Sequence, residues 1–504
     1  MLLLYLIIIP FIGGLLCGLS QFFSFLNSKI PRFIAMLSTG LILLVSLQLW
    51  KNGNYSVVKA SGIPQWQLSF CIPWIPRFGI DFNLALDGLS LLMLILTGFL
   101  GITAVLCSWN EIKKYQGLFY LNLMWIIGGV IGVLLSIDMF LFFFFWETIL
   151  IPMCFLISFW GYNKSTIKIR INATTKFFIY TQISGLLMLA AIIGLACMYY
   201  KSNSIWTFNY EKLLKTPMSH NTEYMLMLGF FIAFAIKMPI VPFHGWLPDT
   251  QSQTSNSGSV DLVGILIKTA VYGMLRFTIP LFPHVLSEFS SIMMCLGIIS
   301  IFYGAWIAFS QTDIKRLIAY SSISHMGFIL IAIADHSELS MQGMVVQMIS
   351  NSLSTAALVV LCGQLCMRTN TRDLSNMGGL WSKINWIPGI SLFFIAANLG
   401  LPGTGNFVGE CLILIGSFKT APIVVTIATF GLVFSSIYSL VMIYRIYYGT
   451  SVFNDTLPKI SLKEFVTIVI LAILLILLGM YPQPIFDTAF IPINNIQKWL
   501  DISV

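Results

Sequence analysis

Runs of apolar residues follow one another along the whole chain, each separated from the next by a short polar stretch. A helix of about 20 apolar residues is long enough to cross the hydrocarbon core of a bilayer. Fourteen such runs lie near 2–20, 33–50, 87–108, 118–137, 139–160, 174–199, 223–241, 259–281, 289–309, 318–334, 341–366, 385–418, 422–448 and 463–482. The pattern therefore predicts an all-α integral membrane protein with about fourteen transmembrane helices. The run at 385–418 is too long for one straight span.

Two of these runs contain residues that interrupt helices. The segment IKMPIVPFHGWLP at 236–248 holds three prolines, and NLGLPGTGNFVGE at 398–410 combines glycines with one proline. Proline removes a backbone donor and disfavours helix before it. Unwound backbone is tolerated inside a membrane only where it is buried in protein or lines a wet cavity. We therefore expect broken helices near 237–248 and 399–410.

The spacing of the two breaks predicts an internal repeat. Transporters that contain inverted repeats place broken helices at corresponding positions of their two halves. Five helices at 118–281 and five at 289–448 would each contain one break. Residues 1–117 would add N-terminal helices and 449–504 a C-terminal helix and tail, all within one membrane domain.

Composition agrees with a membrane protein, and the distribution of charge indicates its orientation. The chain is 58% hydrophobic and 9% charged, against roughly 25% charged residues in soluble domains. Of its 27 Lys and Arg, sixteen fall in loops on one side of the predicted membrane and nine on the other. The positive-inside rule places the richer side in the cytoplasm and both termini on the outer side. The formal charge of +8 thus reflects orientation rather than a nucleic-acid partner.

Five ionisable residues lie inside or beside the predicted spans: Glu147, Lys237, Lys268, His325 and Glu410. Such residues are costly in a membrane and suggest an ion or proton pathway by default. A Glu–Lys pair can also hold two helices together, and one histidine with serine neighbours can be a helix contact. Asp87 and Asp138 differ from the five, because they fall at helix starts, where capping is the simpler role.

Nothing in the sequence points to a cofactor on this chain. The nine cysteines are scattered along the helices without a Cys-x-x-Cys motif or a close quartet that would hold zinc or an iron–sulfur cluster. Cys362 and Cys366 are one helical turn apart, a spacing that two packing residues also satisfy. Taken together, the buried charges favour transport of protons over redox chemistry.

Several motifs add a resemblance to a known family. They are ALDGLSLLM (85–93), WETILIP (146–152), KMPIVPFHGWLPD (237–249), GSVDLVGILIKTAVYGMLRF (258–277), SQTDIKRLIAYSSISHMGF (310–328) and LGLPGTGNFVGE (399–410). These segments resemble the antiporter-like membrane subunits of NADH-quinone oxidoreductase, respiratory complex I, in particular their subunit M or subunit 4 type. The resemblance covers nearly the whole chain.

The resemblance implies a role for each of the five residues. Glu147 and Lys237 match the family's glutamate–lysine pair, Lys268 its connecting lysine, His325 a central relay histidine and Glu410 a terminal acidic residue. It also implies a bacterial inner-membrane complex with other membrane and peripheral subunits, including related antiporter-like subunits. NAD, FMN, iron–sulfur clusters and quinone would then belong to those partners.

The chain departs from the family pattern at two positions. Gln251 and Asn351 stand where the family often has histidines, and an amide does not take up a proton near neutral pH. Two alternatives therefore stay open beside a proton-pumping subunit of the complex. One is a subunit of a multisubunit Na⁺/H⁺ antiporter, and the other is a structural subunit that has lost pumping.

Overall fold

The computed structural model describes residues 1–21, 29–53, 64–162, 165–450, 457–458 and 460–503. Side chains are described for these residues except 259, 261–263 and 501–503. Lys59, Lys164 and Lys459, which contribute to the predicted charge asymmetry, lie outside the described residues.

Helices account for most of the fold. The first part of the chain contains α1 Leu2–Ser20, α2 Ile30–Asn52, α3 Gly88–Glu111, α4 Gln116–Leu135, α5 Met139–Thr148, α6 Leu150–Trp160, α7 Ile167–Asn203, α8 Tyr210–Leu213, α9 His220–Lys237, α10 Leu247–Gln253, α11 Asn256–Asp261, α12 Ile267–Gly273 and α13 Ile279–Leu281. The second part contains α14 Pro283–Ser310, α15 Ile314–Asp335, α16 Glu338–Thr369, α17 Ile387–Asn398, α18 Gly405–Phe418, α19 Pro422–Tyr447, α20 Leu462–Met480 and α21 Gln483–Ser503.

Twelve helices in the described part of the chain are long and apolar enough to cross a membrane, with α5 and α6 taken together as one and Gly264–Leu281, which contains α12 and α13, as another. The helical membrane fold predicted from the sequence is therefore confirmed. Of the two remaining predicted spans, the one near 223–241 corresponds to α9, which ends at the first break, and the one near 385–418 is divided into α17 and α18. The exact count of fourteen and the two repeats stay predictions.

Helices α15 and α16 form the centre of the bundle. Every residue in the apolar window of α16 is buried, whereas only 22% of the window of α20 is. The outer helices present large apolar side chains such as Leu44, Phe430 and Ile473, as expected of surfaces that face lipid. Polar side chains that converge on α16 are therefore inside the protein.

The first break, between α9 and α10, lies where the prolines predict it. Its freed backbone groups have partners, since Trp246 Nε1 donates to Ile236 O at 2.7 Å. In addition, Val241 N donates to Ser300 Oγ of α14 at 3.1 Å. These bonds satisfy backbone groups that lose their helical partners where α9 ends.

The second break is shorter than predicted, because the helix resumes at Gly405 and Glu410 already lies within α18. Gly400 and Gly403 have φ of +79° and +90°, which glycine adopts without strain. Asn406 Nδ2 donates to Ala397 O at 3.1 Å, a carbonyl that also accepts from Gly400 N at 3.1 Å, and so ties the start of α18 to the end of α17. The long run at 385–418 is thus two helices, as its length requires.

Hydropathy misses two elements. Strands β1 Leu68–Ile75 and β2 Ile80–Leu86 form an antiparallel hairpin within a stretch predicted to be a loop. Helix α21 occupies what was predicted as a tail, and Trp499 Nε1 donates to Pro280 O at 2.9 Å. A strand of eight residues is too short to register as a span, and an amphipathic helix lacks the continuous apolar run that marks one.

Helix starts follow their predicted caps, but Lys315, counted among the sixteen loop cations, and Arg276, counted among the nine cations on the other side, are both buried. Asp87 accepts from Ser90 N at 2.9 Å at the start of α3. The same carboxylate pairs with Arg276, which is 3% exposed. Lys315, in the first turn of α15, is 2% exposed and donates to Thr254 O at 2.7 Å. The loop assignment of Lys315 was wrong, because hydropathy locates helix ends without showing what packs over them.

Candidate functional site

Glu147 and Lys237 line one small cavity. Glu147 stands near the end of α5, and Lys237 is the last residue of α9, directly before the first break. The cavity has a volume of about 10 Å³, near the lower limit for one water molecule. Within the described residues their side chains form no direct ion pair. The two residues that the sequence pairs are therefore neighbours around a cavity.

A tryptophan holds the lysine in place. Lys237 Nζ lies 3.5 Å from the centroid of the Trp146 ring, and the residue is 6% exposed. Tryptophan is the side chain that best attracts a cation over its face. Because Trp146 precedes Glu147 on α5, the same turn of helix presents both a ring and a carboxylate to Lys237.

Helix α7 approaches the glutamate through a glycine. A β-carbon added at Gly185 would overlap Oε1 of Glu147, and no other residue type leaves that space. The close approach brings the carboxylate against α7 and limits where it can move. Gly185 is thus a positioning residue that the sequence pattern does not reveal.

Lys268 lies in a short α-helical segment between two π-helical turns. The turns span Leu262–Leu266 and Met274–Thr278, and π turns are frequent at functional sites. Lys268 is 2% exposed, and its Nζ donates to Asn351 Oδ1 of α16 at 3.0 Å. Asn351, one of the two departures from the family pattern, is therefore a direct partner of Lys268.

Glu410 and His325 meet at the second break. His325 Nδ1 and Glu410 Oε1 are 3.0 Å apart, and both residues are almost fully buried. Gln347 Nε2 of α16 donates to the same carboxylate oxygen at 2.9 Å. A β-carbon at Gly409 would lie 2.7 Å from Gln347 Oε1, so a glycine there lets α18 come close to α16.

Helix α16 connects the lysine to the carboxylate. Gln347 and Asn351 are four residues apart, which places them on one face of the helix. Asn351 Nδ2, Gln347 Oε1 and His325 Nε2 are buried and have no hydrogen-bond partner in the described part of the chain. Both amide atoms of Gln251 are likewise buried without a partner there.

The structure thus groups the five residues that the sequence singles out into two clusters. Glu147 and Lys237 form the first, and Lys268, His325 and Glu410 belong to the second. Leu266, two residues before Lys268, lines the cavity of the first cluster. Sequence reasoning missed Trp146 and Gln347. Gln347 could have been found, because it lies one helical turn from Asn351.

Groups that could hold a metal were searched for in the described residues. No set of three or more His, Cys, Asp or Glu side chains is close enough together there. The arrangement is instead a row of ionisable and amide side chains, buried in an apolar bundle, that can hold and pass protons.

Comparison with known proteins agrees with this arrangement. The family model described as NADH:quinone oxidoreductase/Mrp antiporter, TM, matches residues 136–435. NADH-quinone oxidoreductase subunit M of Escherichia coli K12 is 61% identical over 507 residues, covering 100% of this chain and 99% of the relative. Its namesake in Pseudomonas aeruginosa is 56% identical over 502 residues, covering 99% and 98%.

Solved structures share the fold. A chain of the respiratory complex I from Thermus thermophilus with bound NADH matches with a TM-score of 0.85 and 26% identity, covering 100% of this chain and 99% of that one. A chain of the Mrp complex from Dietzia matches with a TM-score of 0.82 and 19% identity, covering 100% of this chain and 55% of that one. The second likeness shows the fold alone.

Proposed function

This chain belongs to the NADH:quinone oxidoreductase/Mrp antiporter family of membrane proteins, and we propose that it carries protons along the row from Glu147 to Glu410. It is an antiporter-like membrane subunit of a proton-translocating NADH-quinone oxidoreductase of the complex I type. Oxidation of NADH and reduction of quinone belong to the enzyme as a whole, and proton translocation is the part of the reaction that this chain serves.

The chain is a multi-pass membrane protein of a bacterial complex with several subunits. We propose that NAD, FMN, iron–sulfur clusters and quinone are bound by partner subunits, and that related antiporter-like subunits lie beside this one. The excess of Lys and Arg on one side supports a cytoplasmic position for that side and outer positions for both termini.

Two five-helix units would organise the path. In the unit at 118–281 the fourth helix is α9, which the first break separates from α10. In the unit at 289–448 the fourth helix is the one that the second break divides into α17 and α18. Because five is odd, the second unit enters the membrane from the opposite side to the first. Lys237 then ends the helix before the first break, and Glu410 lies in the helix that follows the second break.

The observation that carries the proposal is the continuity of the second cluster. Lys268 is bonded to Asn351, Asn351 is one turn from Gln347, and Gln347 shares a carboxylate oxygen of Glu410 with His325. Buried ionisable groups of both signs lie at the two ends of this line, and two buried amides one helical turn apart lie between them, an arrangement suited to proton exchange. Helix packing alone would not require so many on one line.

Water molecules would carry the proton past the amide side chains of Asn351 and Gln347. Asn351 and Gln347 do not take up protons near neutral pH, so a proton that leaves Lys268 needs another carrier. Buried polar atoms without a protein partner ordinarily bind water, and the three such atoms on Asn351, Gln347 and His325 are suited to it. We infer that water molecules replace the histidine found at this position in the family.

Electrostatic coupling is strong enough to drive the transfer. Moving one charge across 100 mV requires about 2.3 kcal/mol. Two unit charges just beyond ion-pair distance, in a medium with an effective dielectric constant of about 20, interact by somewhat less than about 4 kcal/mol. If a neighbouring subunit changed the charge of Glu147, the interaction energy at Lys237 would therefore change by an amount comparable with the free energy needed to move one proton.

The test is proton pumping by the assembled complex in sealed vesicles. We expect Lys237→Ala to abolish most NADH-driven acidification while the amount of assembled complex stays normal, and Glu147→Gln to lower the protons moved per NADH. Lys201→Ala, which removes an exposed lysine at the end of α7, is the control. Unchanged pumping in both site variants would favour the alternative of a structural subunit that does not pump.

A further inference from the structure

A second, much larger cavity opens at one end of the bundle. Its volume is about 1250 Å³, and it lies where α3 and α6 end, where α4 and α15 begin, and beside the last turns of α16. None of Glu147, Lys237, Lys268, His325 and Glu410 lines it. The proton row therefore gives no account of this cavity.

Positive charge dominates the cavity lining. Lys113 and Lys114 are exposed at its rim, and Lys315 and Arg372 lie deeper. Among the described lining residues the one carboxylate is that of Glu111, which accepts from the backbone N–H groups of Asn256 at 2.8 Å and Ser257 at 3.3 Å. Because Arg372 pairs with Asp313, it is the three lysines that give the described lining its excess of positive charge and make the cavity suited to an anionic ligand.

One wall of the cavity is apolar. Leu118 and Leu121 of α4 stand on it, together with Phe155 and Phe159 of α6, whose exposures are 45% and 67%. Trp160 Nε1 donates to Lys114 O at 2.9 Å and so joins the wall to the basic rim. A binding site for a small soluble anion does not require an apolar wall.

The floor of the cavity is built from close contacts. A β-carbon at Gly363 would lie 2.5 Å from Asn256 Nδ2, so glycine at this position lets the carboxamide rest against α16. Arg372 is held over the Tyr162 ring at 3.6 Å and beside Asp313 at 3.2 Å. These contacts keep a cation at a defined place in the floor.

We propose that this cavity binds one anionic phospholipid, with its phosphate between Lys113 and Lys114 and its acyl chains along Phe155 and Phe159. Basic pockets between transmembrane helices on the cytoplasmic side bind anionic headgroups. Pockets for drug-sized ligands have volumes of about 300–1,000 Å³, so this cavity has room for a headgroup and the start of its chains. The predicted orientation places this end of the bundle on the cytoplasmic side, where positive loops meet anionic lipid.

Cys366, which lines the cavity and is partly buried, offers a reporter. The whole complex would be placed in nanodiscs of phosphatidylcholine alone or of phosphatidylcholine with phosphatidylglycerol. The rate of maleimide labelling of each cysteine would then be measured by peptide mass spectrometry. Anionic lipid at about ten times its dissociation constant should slow labelling of Cys366 about tenfold. Labelling of Cys71, which is exposed on strand β1 outside the membrane spans, serves as the internal reference.

The variant Lys113→Gln/Lys114→Gln should lose this protection, and Lys212→Gln/Lys215→Gln, two exposed lysines elsewhere, should keep it. Equal labelling of Cys366 in the two kinds of nanodisc would overturn the proposal. So would equal protection by inorganic phosphate without phosphatidylglycerol. Equally slow labelling with and without anionic lipid, in wild type and variant alike, would mean that a partner protein covers the cavity, and would also overturn it.

Discussion

Asn351→Leu tests whether the amide that replaces the family histidine takes part in proton transfer. The change removes the oxygen that accepts from Lys268 Nζ at 3.0 Å and leaves a similar volume in the fully buried interior of α16. A hydrogen bond to a charged group contributes about 1.5–3 kcal/mol. Since about 1.36 kcal/mol changes a rate tenfold, a step that needs protonated Lys268 should slow by about 10- to 150-fold.

The assay is the initial rate of NADH-driven proton pumping in inverted vesicles, normalised to the amount of assembled complex. Asn351→His should keep pumping, because imidazole accepts the same bond and also takes up a proton near neutral pH. Gln364→Leu removes another buried amide of α16 and should change nothing. If Asn351→Leu pumped like wild type in a fully assembled complex, the row through α16 would not be the path.

Three further predictions concern single positions. Gly185→Ala should displace the Glu147 carboxylate and reduce pumping severalfold without reducing assembly, whereas Gly194→Ala on the same helix meets only a flexible leucine and should be neutral in the vesicle assay. Asn406→Ala removes the two hydrogen bonds that Asn406 Nδ2 donates, to Ser354 Oγ and Ala397 O, and should lower the free energy of unfolding by about 1–3 kcal/mol, which thermal unfolding of the purified complex would detect. Burial lowers the pKa of His336 from 6.5 to about 4. Because a histidine with a depressed pKa stabilises the fold above pH 6.5 and loses that contribution as pH falls toward 4, acidification to pH 5 should lower the melting temperature of wild type more than that of His336→Asn. Equal shifts would show that this histidine is not responsible.

The sequence by itself determined the class of this protein and the identity of its main ionisable residues. Membrane spans and helix breaks depend on local signals, namely apolar runs of spanning length, prolines in one run and glycines in another. Such signals can be read from the sequence alone. The two lysines inside the predicted spans indicated proton transfer, because an ionisable residue in a membrane span is costly and is therefore a functional hypothesis by default. Motifs then supplied the family, which the relatives confirm.

Only the tertiary structure decided which side chains meet. Lys268 and Asn351 are far apart in sequence and 3.0 Å apart in space, and Glu410 reaches Gln347 because Gly409 lets two helices approach. Hydropathy placed Lys315 in a loop, yet neighbouring helices cover it. Contacts between helices depend on packing across the whole bundle, so the residues of one helix do not reveal what lies against it.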